Sequence, residues 1–181
     1  MKLSPTMQKY VLHWGEMGTR WGVNRTVAQI HALLYLANAP LPAEDIADTL
    51  GVARSNVSTS VKELQSWGLV RIAHIVGDRR DHFVALQDVW EMFRVIMEER
   101  KRREIDPTLT VLRECLLEAD QDEGMDDATR LKMENVLGFV EMLTASYEDY
   151  KRLPPSHLKR FIAMGGKVAK LFGKSDKDST S

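Results

Sequence analysis

The stretch Asp45–Leu86 constrains the fold of this chain more than any other part of the sequence. Apolar residues at helical spacing predict two short helices separated by Gly51, where a residue free to take positive φ allows a sharp turn. Gly68 closes the second helix, and segments of alternating apolar and polar residues then flank Gly77-Asp78, which is typical of a β-hairpin. A helix pair followed by a hairpin predicts a winged helix-turn-helix domain.

The second helix of the pair is predicted to run from Arg54 to Trp67, with Val57, Val61 and Leu64 as its buried stripe. Its other side chains are mostly short hydroxyls and amides, which cost helix stability where an ordinary solvated face would carry Glu, Lys or Ala. Such groups can read base edges in a major groove, while Arg and Lys bind phosphate or guanine. The predicted DNA-contacting residues here are Arg54, Ser55, Asn56, Ser58, Thr59 and Lys62.

The predicted hairpin tip places Arg79 and Arg80 between two aspartates at the end of a projecting arm. One guanidinium group at such a tip can enter a minor groove while another binds the DNA backbone. Arg79 and Arg80 therefore complete the predicted DNA-binding set. The alternative is a purely structural charged turn, in which the aspartates neutralise the arginines.

Helical patterns flank this domain on its N-terminal side. A face of large apolar residues runs along the helix predicted from Pro5 to Arg20, and its packing partner can belong to a second subunit. Asn24 is a good N-cap for the next helix, and Leu41-Pro42 is predicted to begin the helix after that. The inward residues of the Asn24-capped helix are predicted to be Val27, Ile30, Leu33, Leu34 and Leu36.

The C-terminal half is also predicted to be helical. Asp88 is a candidate N-cap, and Asp106-Pro107 is predicted to cap and begin a further helix with Leu109, Leu112, Cys115 and Leu116 on one face. A heptad seam over Met133–Tyr150 needs a partner helix, either in the same chain or in a second copy. After Leu153-Pro154-Pro155, a last amphipathic segment begins at Ser156 and leads to a polar tail predicted to be disordered.

Composition limits the broad class of the protein. The chain has 181 residues and a formal net charge of -1, but acidic residues dominate residues 104–149 and basic residues dominate the C-terminal end. The overall charge therefore says little about any one surface. No apolar run approaches the ~20 residues needed to cross a bilayer, no secretory signal is evident, and the single Cys115 cannot form an internal disulfide. We expect a cytoplasmic protein without membrane contact.

Signals for catalysis, metals and cofactors are weak. Cys115 lies on an apolar helical face, which indicates an inert core thiol rather than a nucleophile. His74 and His82 can approach each other across the hairpin, but two histidines lack the further ligands that a zinc site needs. The sequence also contains no phosphate-binding glycine loop and no hydrolase signature. We therefore expect no enzyme activity, no metal and no cofactor.

Taken together, these motifs resemble the GbsR/MarR-type transcriptional regulators over about residues 20–90. The residues that carry the resemblance are Asp45-Ile46-Ala47, Asn56-Val57-Ser58, the Leu64–Val70 stretch with Trp67-Gly68, and Gly77–Arg80. The resemblance implies a homodimeric winged-helix repressor, and in some relatives one that controls osmoprotectant uptake or synthesis in response to choline-like ligands. One departure is Ala53, which stands where such helices often begin with a capping Ser or Thr.

Aromatic residues near the junction of the expected DNA-binding and dimerisation parts are candidates for an effector site. A quaternary ammonium ligand is bound by aromatic faces. The predicted effector-binding residues are Trp14, Trp21, Tyr35, Trp90 and Phe93, with Trp67 nearby. Aromatic residues at helical spacing are more often part of a core, so this alternative stays open.

The sequence thus predicts a mainly α protein with a small β-hairpin, in which dimerisation helices from both ends flank a winged helix-turn-helix. The expected parts are an N-terminal dimerisation helix (1–22), the DNA-binding domain (23–88), a helical dimerisation region (89–173) and a tail (174–181). The expected function is sequence-specific binding of a pseudo-palindromic double-stranded operator by a dimeric repressor that a small molecule releases. The alternative is a protein-interaction module that uses the winged-helix surface or the Met133–Tyr150 seam.

Overall fold

The structure is a computed structural model that describes residues 1–122 and 124–154, together with residues 157, 160 and 164. The predicted helix start at Ser156 and the predicted tail lie outside the described residues. The chain divides into two compact units, Met1–Glu99 and Arg100–Ser181. No helix in the described ranges is long and apolar enough to cross a membrane.

The first unit contains most of the helices and the only sheet found in the described residues. Its elements are α1 (Pro5–Arg20), α2 (Arg25–Leu36), β1 (Leu41–Pro42), α3 (Ala43–Leu50), α4 (Arg54–Ser66), β2 (Val70–Ile75), β3 (Asp78–Ala85) and α5 (Val89–Arg100). The predicted fold class, mainly α with a small antiparallel sheet in a winged helix-turn-helix, is confirmed.

Helix α1 packs on α2 through small residues. Val11, Gly15 and Gly18 are its buried positions, and a Cβ at Gly18 would lie only 2.5 Å from the Cβ of Ala28. Glycine therefore lets the two helix backbones approach closely. The large residues of the predicted apolar face contribute less, because Tyr10 and Trp21 stay 36% and 44% exposed. The packing partner of the buried positions is α2 of the same chain.

The core of the first unit surrounds α2. This helix begins at the predicted N-cap, where the backbone amide of Thr26 donates to Asn24 Oδ1 at 2.8 Å. The predicted inward residues of α2, α3 and α4 lie in one apolar cluster, except for the half-buried Leu36 and Leu50, and β2 and β3 complete the cluster. Its members are Val27, Ile30, Leu33, Leu34, Leu41, Ile46, Ala47, Val57, Val61, Leu64, Leu69, Val70 and Ala85.

The turn between α3 and α4 has the predicted geometry. Gly51 ends α3 in the left-handed region at φ 65°, and the backbone amide of Val52 donates to the carbonyl of Ala47 at 3.1 Å. A residue with a Cβ is strained in this conformation, whereas glycine adopts it freely. The sharp turn brings α4 across α2, where its apolar stripe is buried.

The sheet contains one strand more than the predicted hairpin. Its order is β1-β3-β2, and all pairings are antiparallel. The prediction that Leu41-Pro42 begins a helix is wrong: Leu41 pairs with Phe83, Pro42 pairs with His82, and Pro42 is extended at ψ 160°. Proline is tolerated in an edge strand because its missing amide hydrogen is not needed there. Helix α3 therefore begins one residue later, at Ala43.

Helix α5 begins at the predicted cap. Asp88 Oδ1 accepts hydrogen bonds from the backbone amides of Trp90 and Glu91, at 2.8 and 2.9 Å. The residues of α5 that pack against the core of the first unit are Met92, Val95 and Ile96. Val89 and Phe93 are exposed.

The second unit begins with a π-helical turn, Lys101–Ile105, followed by α6 (Asp106–Ala119) and α7 (Asp127–Lys151). The prediction that Asp106 is an N-cap is wrong, because Asp106 has helical φ and ψ and its carboxylate accepts from Lys101 Nζ at 2.9 Å. Pro107 has no amide hydrogen for the preceding turn. A wider helical turn before it accommodates that loss.

Helices α6 and α7 pack on each other, and an ion pair between Arg113 Nη2 and Glu141 Oε1 joins them at 2.7 Å. On α6 the predicted face is confirmed, since Leu109 is buried and Leu112, Cys115 and Leu116 are half-buried. The residues of the predicted heptad seam on α7 differ in burial. Its residues Met133, Val140 and Tyr147 are half-buried, whereas Val136 and Leu143 remain 50% and 51% exposed.

His31 is a buried titratable group in the first unit. It lies on α2, and its Nε2 has no hydrogen-bond partner among the described residues. Burial lowers the pKa of His31 from 6.5 to about 4, because the charged imidazolium loses its hydration there. The unfolded chain therefore binds a proton in a pH range where the folded chain does not.

We predict that the free energy of unfolding falls as the pH is lowered from 6.5 to about 4. The stabilising contribution of neutral His31 is complete above the unfolded pKa, and its loss amounts to roughly 3 kcal/mol. Urea unfolding followed by circular dichroism at several pH values measures this. His31→Phe should flatten the pH dependence, while His13→Gln, at an exposed position of α1, should not. Equal pH dependence in wild type and His31→Phe would contradict the prediction.

Candidate nucleic-acid interface

Helix α4 presents polar side chains above a buried apolar stripe. Val57, Val61 and Leu64 are buried, and this fixes the rotation of the helix about its axis. The predicted contact residues all lie on the exposed side: Arg54, Ser55, Asn56, Ser58, Thr59 and Lys62. Ser60 is buried with the stripe. The exposed face therefore offers hydroxyl, amide, guanidinium and ammonium groups to a ligand.

The start of α4 has no side-chain cap. Ala53 occupies the N-cap position in extended conformation, and its carbonyl accepts from the amides of Asn56 and Val57. The departure noted at Ala53 is thus present in the structure. The first amides of a helix have no intrahelical acceptor, and they carry the positive end of the helix dipole. An anionic partner is favoured at this end.

An acidic residue that the sequence analysis did not single out lies beside this helix end. Glu44, in the first turn of α3, pairs with Arg54 through its Oε1, 2.6 Å from Arg54 Nη2. The sequence contained little signal for the pair, because the two residues come together only when Gly51 turns the chain between α3 and α4. Arg54 therefore has an acceptor in the free protein.

The wing is the antiparallel sheet of β1, β2 and β3, and its two arginines, Arg79 and Arg80, make different contacts. Arg80 makes a two-point ion pair with Asp78, with Nε 3.0 Å from Oδ1 and Nη2 2.6 Å from Oδ2. These hydrogen bonds hold the pKa of Asp78 well below its usual range, and Asp78 in turn raises the pKa of Arg80. Arg79 is exposed, and its guanidinium has no hydrogen bond or ion pair within the described residues.

His82 contacts both members of the Asp78–Arg80 ion pair. The His82 ring is buried, and its Nδ1 lies 2.9 Å from the carbonyl oxygen of Arg80. A carbonyl oxygen can only accept, so Nδ1 carries a proton. His82 Nε2 is 3.4 Å from Asp78 Oδ2. One histidine and one aspartate of β3 therefore position Arg80.

Arg79 and Arg80 are neighbours in β3 and have different surroundings. Arg80 lines a cleft of about 380 Å³ between the wing, α3 and α4, together with Glu44, Arg54, Ser58 and Lys62. The structure thus brings Arg80 to the same surface as α4. Arg79 lies near the hairpin turn at Val76-Gly77 and does not line this cleft.

The predicted effector-binding residues lie on or directly after helices α1, α2 and α5. Trp14 stacks on Tyr10 with ring centroids 5.6 Å apart, and it meets Trp21 edge to face at 6.4 Å. Tyr35, on α2, is close enough to Tyr10 to contribute to a raised pKa of the Tyr10 phenol, of which burial is the main cause. Trp90 and Phe93 lie on α5. Two of the predicted effector-binding residues, Trp14 and Trp21, therefore form one aromatic cluster with Tyr10.

Comparisons with known proteins agree with this geometry. Residues 21–81 match the family model of the MarR family. The chain is 23% identical over 139 residues to the HTH-type transcriptional repressor GbsR of Bacillus subtilis, with 75% of this chain and 77% of that protein covered. Its fold is similar to that of the crystal structure of a transcriptional regulator, with a TM-score of 0.63, 16% identity, and coverage of 81% of this chain and 96% of that chain.

The helix pair, the uncapped polar helix and the three-stranded wing define a winged helix-turn-helix protein. Residues 21–81 match the model of the MarR family of transcriptional regulators, and the resemblance seen in the sequence is confirmed over this part of the chain. The matched family and the relative GbsR are regulators of transcription and not enzymes, which agrees with the prediction from the sequence.

Proposed function

We propose that this protein is a sequence-specific double-stranded DNA-binding repressor that acts as a homodimer. The observation that carries the proposal is α4, whose short polar side chains are exposed above a fully buried stripe. Such side chains cost helix stability without adding to the core, which is consistent with selection for contact with a partner. The curated relative described above is named as a transcriptional repressor.

In this proposal the N-terminal half of α4 enters a major groove. Ser55, Asn56, Ser58 and Thr59 read base edges, because hydroxyls both donate and accept and an amide can pair with adenine. Thr59 Oγ1 donates to the carbonyl of Ser55 at 3.1 Å, so its lone pairs face outward as acceptors. Arg54 and Lys62 contact phosphate or guanine at the two ends of this face.

The wing makes the second set of contacts in this proposal. The unpaired guanidinium of Arg79 and its place near the hairpin turn support a role in the adjacent minor groove or on the backbone. Arg80 stays with Asp78 and contributes a guanidinium whose orientation is already fixed, so less freedom is lost on binding. The two arginines therefore have different expected roles.

A homodimer is supported by exposed apolar side chains in the second unit. Val136, Phe139, Met142 and Leu143 of α7 are each half exposed or more, and Val111 and Leu117 of α6 are exposed too. A partly uncovered heptad seam is typical of a helix that packs on a second copy. Two copies related by a two-fold axis would place their α4 helices in successive major grooves of a pseudo-palindromic operator.

Release by a small molecule completes the proposal. A ligand that binds better to a dimer with a different separation of its α4 helices lowers the affinity for DNA, and by linkage DNA lowers the affinity for the ligand equally. The cluster of Trp14 and Trp21 supports a choline-like effector, since aromatic faces attract a quaternary ammonium group.

The second candidate function is a protein-interaction module that uses the same exposed surfaces. The uncovered apolar residues of α7 favour it, because they fit a partner of either kind. Measuring whether the protein prefers particular DNA sequences separates the two functions. Binding without preference over competitor DNA would favour the interaction module.

We predict saturable, sequence-selective binding that weakens steeply with salt, because phosphate contacts release counterions. Arg79→Ala should weaken binding to all duplexes by a similar factor and reduce the salt dependence. Asn56→Ala should relax selectivity at particular base pairs, at a cost of about 1–3 kcal/mol. Fluorescence anisotropy at two salt concentrations measures both effects. Lys132→Ala, an exposed charge on α7, is the matched control and should change neither. Uniform, equal losses from both variants would contradict the assigned roles.

A second prediction concerns the dimer. Phe139→Glu should shift the protein toward monomer, since it places a charge among exposed apolar residues that the proposal buries. Ala145→Glu, which adds the same charge on another face of α7, should leave the dimer intact. Analytical ultracentrifugation measures the association. A monomeric wild type, or an unchanged dimer in Phe139→Glu, would argue against this interface.

A third prediction concerns the effector. Choline chloride should quench tryptophan fluorescence and lower the affinity for DNA more than sodium chloride at equal ionic strength. Trp21→Ala should abolish the difference between the two salts, because it removes one ring of the cluster. Identical effects of the two salts on the wild type would rule out a choline-like effector at this cluster.

A further inference from the structure

The ion pair between Glu44 and Arg54 joins the two helices of the helix-turn-helix at the predicted DNA surface. Arg54 is the first residue of α4, and Glu44 is in the first turn of α3. Their side chains are 71% and 34% exposed, with Arg54 Nη2 2.6 Å from Glu44 Oε1. An ion pair this exposed adds little to stability. Its consequence is therefore electrostatic, at the place where α4 would meet DNA.

Glu44 acts on more than one cation. After the main effect of Asp78, the carboxylates of Glu44 and Asp45 also raise the pKa of Arg80. Arg54, Lys62, Arg80 and Glu44 line the same cleft. Glu44 thus pairs with Arg54 and lines a cleft shared with Lys62, Arg80 and a second carboxylate, Asp81, at the positive end of a helix without a side-chain cap. A negative charge here repels the phosphates of every DNA sequence alike.

The pair is nevertheless compatible with base readout by Arg54. A guanidinium group has five hydrogen-bond donors, so it can donate to Glu44 through one edge and to the O6 and N7 atoms of guanine through another. A guanine in the right place leaves Arg54 paired and adds two hydrogen bonds. A phosphate competes with Glu44 for the same donors and is repelled by its charge.

We propose that Glu44 is a specificity-determining positioning residue of the DNA-binding surface. It orients the guanidinium of Arg54 at the start of α4 and weakens the attraction of that surface for phosphate, which lowers binding to non-operator DNA more than binding to the operator. The inference rests on the proposed DNA-binding function and extends it to a residue outside the predicted contact set. It concerns discrimination between sequences rather than affinity alone.

The test compares two acid-to-amide variants that raise the net charge by one each. Glu44→Gln removes the carboxylate that pairs with Arg54, whereas Asp48→Asn changes an exposed carboxylate of the same helix. The probes are a duplex selected from a random library by the full-length wild-type protein and a shuffled duplex of equal composition. Dissociation constants at several salt concentrations give the ratio between the two duplexes and the salt slope for each.

We expect Glu44→Gln to bind the shuffled duplex at least about threefold more tightly, because one repulsive charge near phosphate is gone. The ratio between selected and shuffled duplexes should fall, and the fall should be smaller in Asp48→Asn. In an Arg54→Gln background, Glu44→Gln should no longer change that ratio. Glu44→Asp keeps the charge and should restore the salt slope of the wild type. Unchanged melting temperatures would separate these effects from folding.

Equal ratios in Glu44→Gln and Asp48→Asn would overturn the inference, and so would a full effect of Glu44→Gln in the Arg54→Gln background. Either result leaves the proposed function standing if the wild type prefers the selected duplex. Failure of the library to yield any preferred duplex would instead overturn the proposed function. The two failures are therefore distinguishable in one experiment.

Discussion

Burial of three aliphatic side chains on α4 is the interaction on which the rest of the first unit depends. Val57, Val61 and Leu64 lie one helical turn apart and are buried in the core around α2. Burying side chains of this size contributes about 1.5–3 kcal/mol each. Because they occupy one side of the helix, they also determine which residues face outward, so the polar face of α4 is a direct result of the core.

Ion pairs orient and partly neutralise the arginine side chains beside the polar face of α4. Arg80 is held by Asp78, and Arg54 by Glu44, so both guanidinium groups have an acceptor before any ligand arrives. The buried ring of His82 contacts the Arg80 carbonyl and the Asp78 carboxylate. A surface with pre-oriented, partly neutralised arginines loses less freedom on binding and attracts phosphate less strongly than one with free cations. Selectivity is favoured over general affinity in such an arrangement.

Local sequence patterns predicted the helix-turn-helix well, since each of its signals acts over a few residues. Asn24 and Asp88 cap helices through their own side chains, and Gly51 adopts a conformation that other residues rarely take. Sequence patterns predicted the structure less well where the conformation of a segment depends on its contact with another residue. Leu41-Pro42 forms a strand because β3 offers it an edge, and Asp106 is not a cap because Lys101 binds its carboxylate. Phe83, the partner of Leu41, is far along the chain, whereas Lys101 is close to Asp106 but is not part of a helix-capping pattern.

The sequence by itself determined the order of the helices, the buried stripe of α4 and the set of polar residues opposite that stripe, because hydrophobic periodicity and helix caps are local properties. Only the tertiary structure decided how those residues are electrically arranged. It paired Arg80 with Asp78 and left Arg79 exposed, and it brought Glu44 within 2.6 Å of Arg54. Ion pairs form between side chains that meet only after the chain has turned at Gly51 and at the hairpin, and the folded backbone sets those distances.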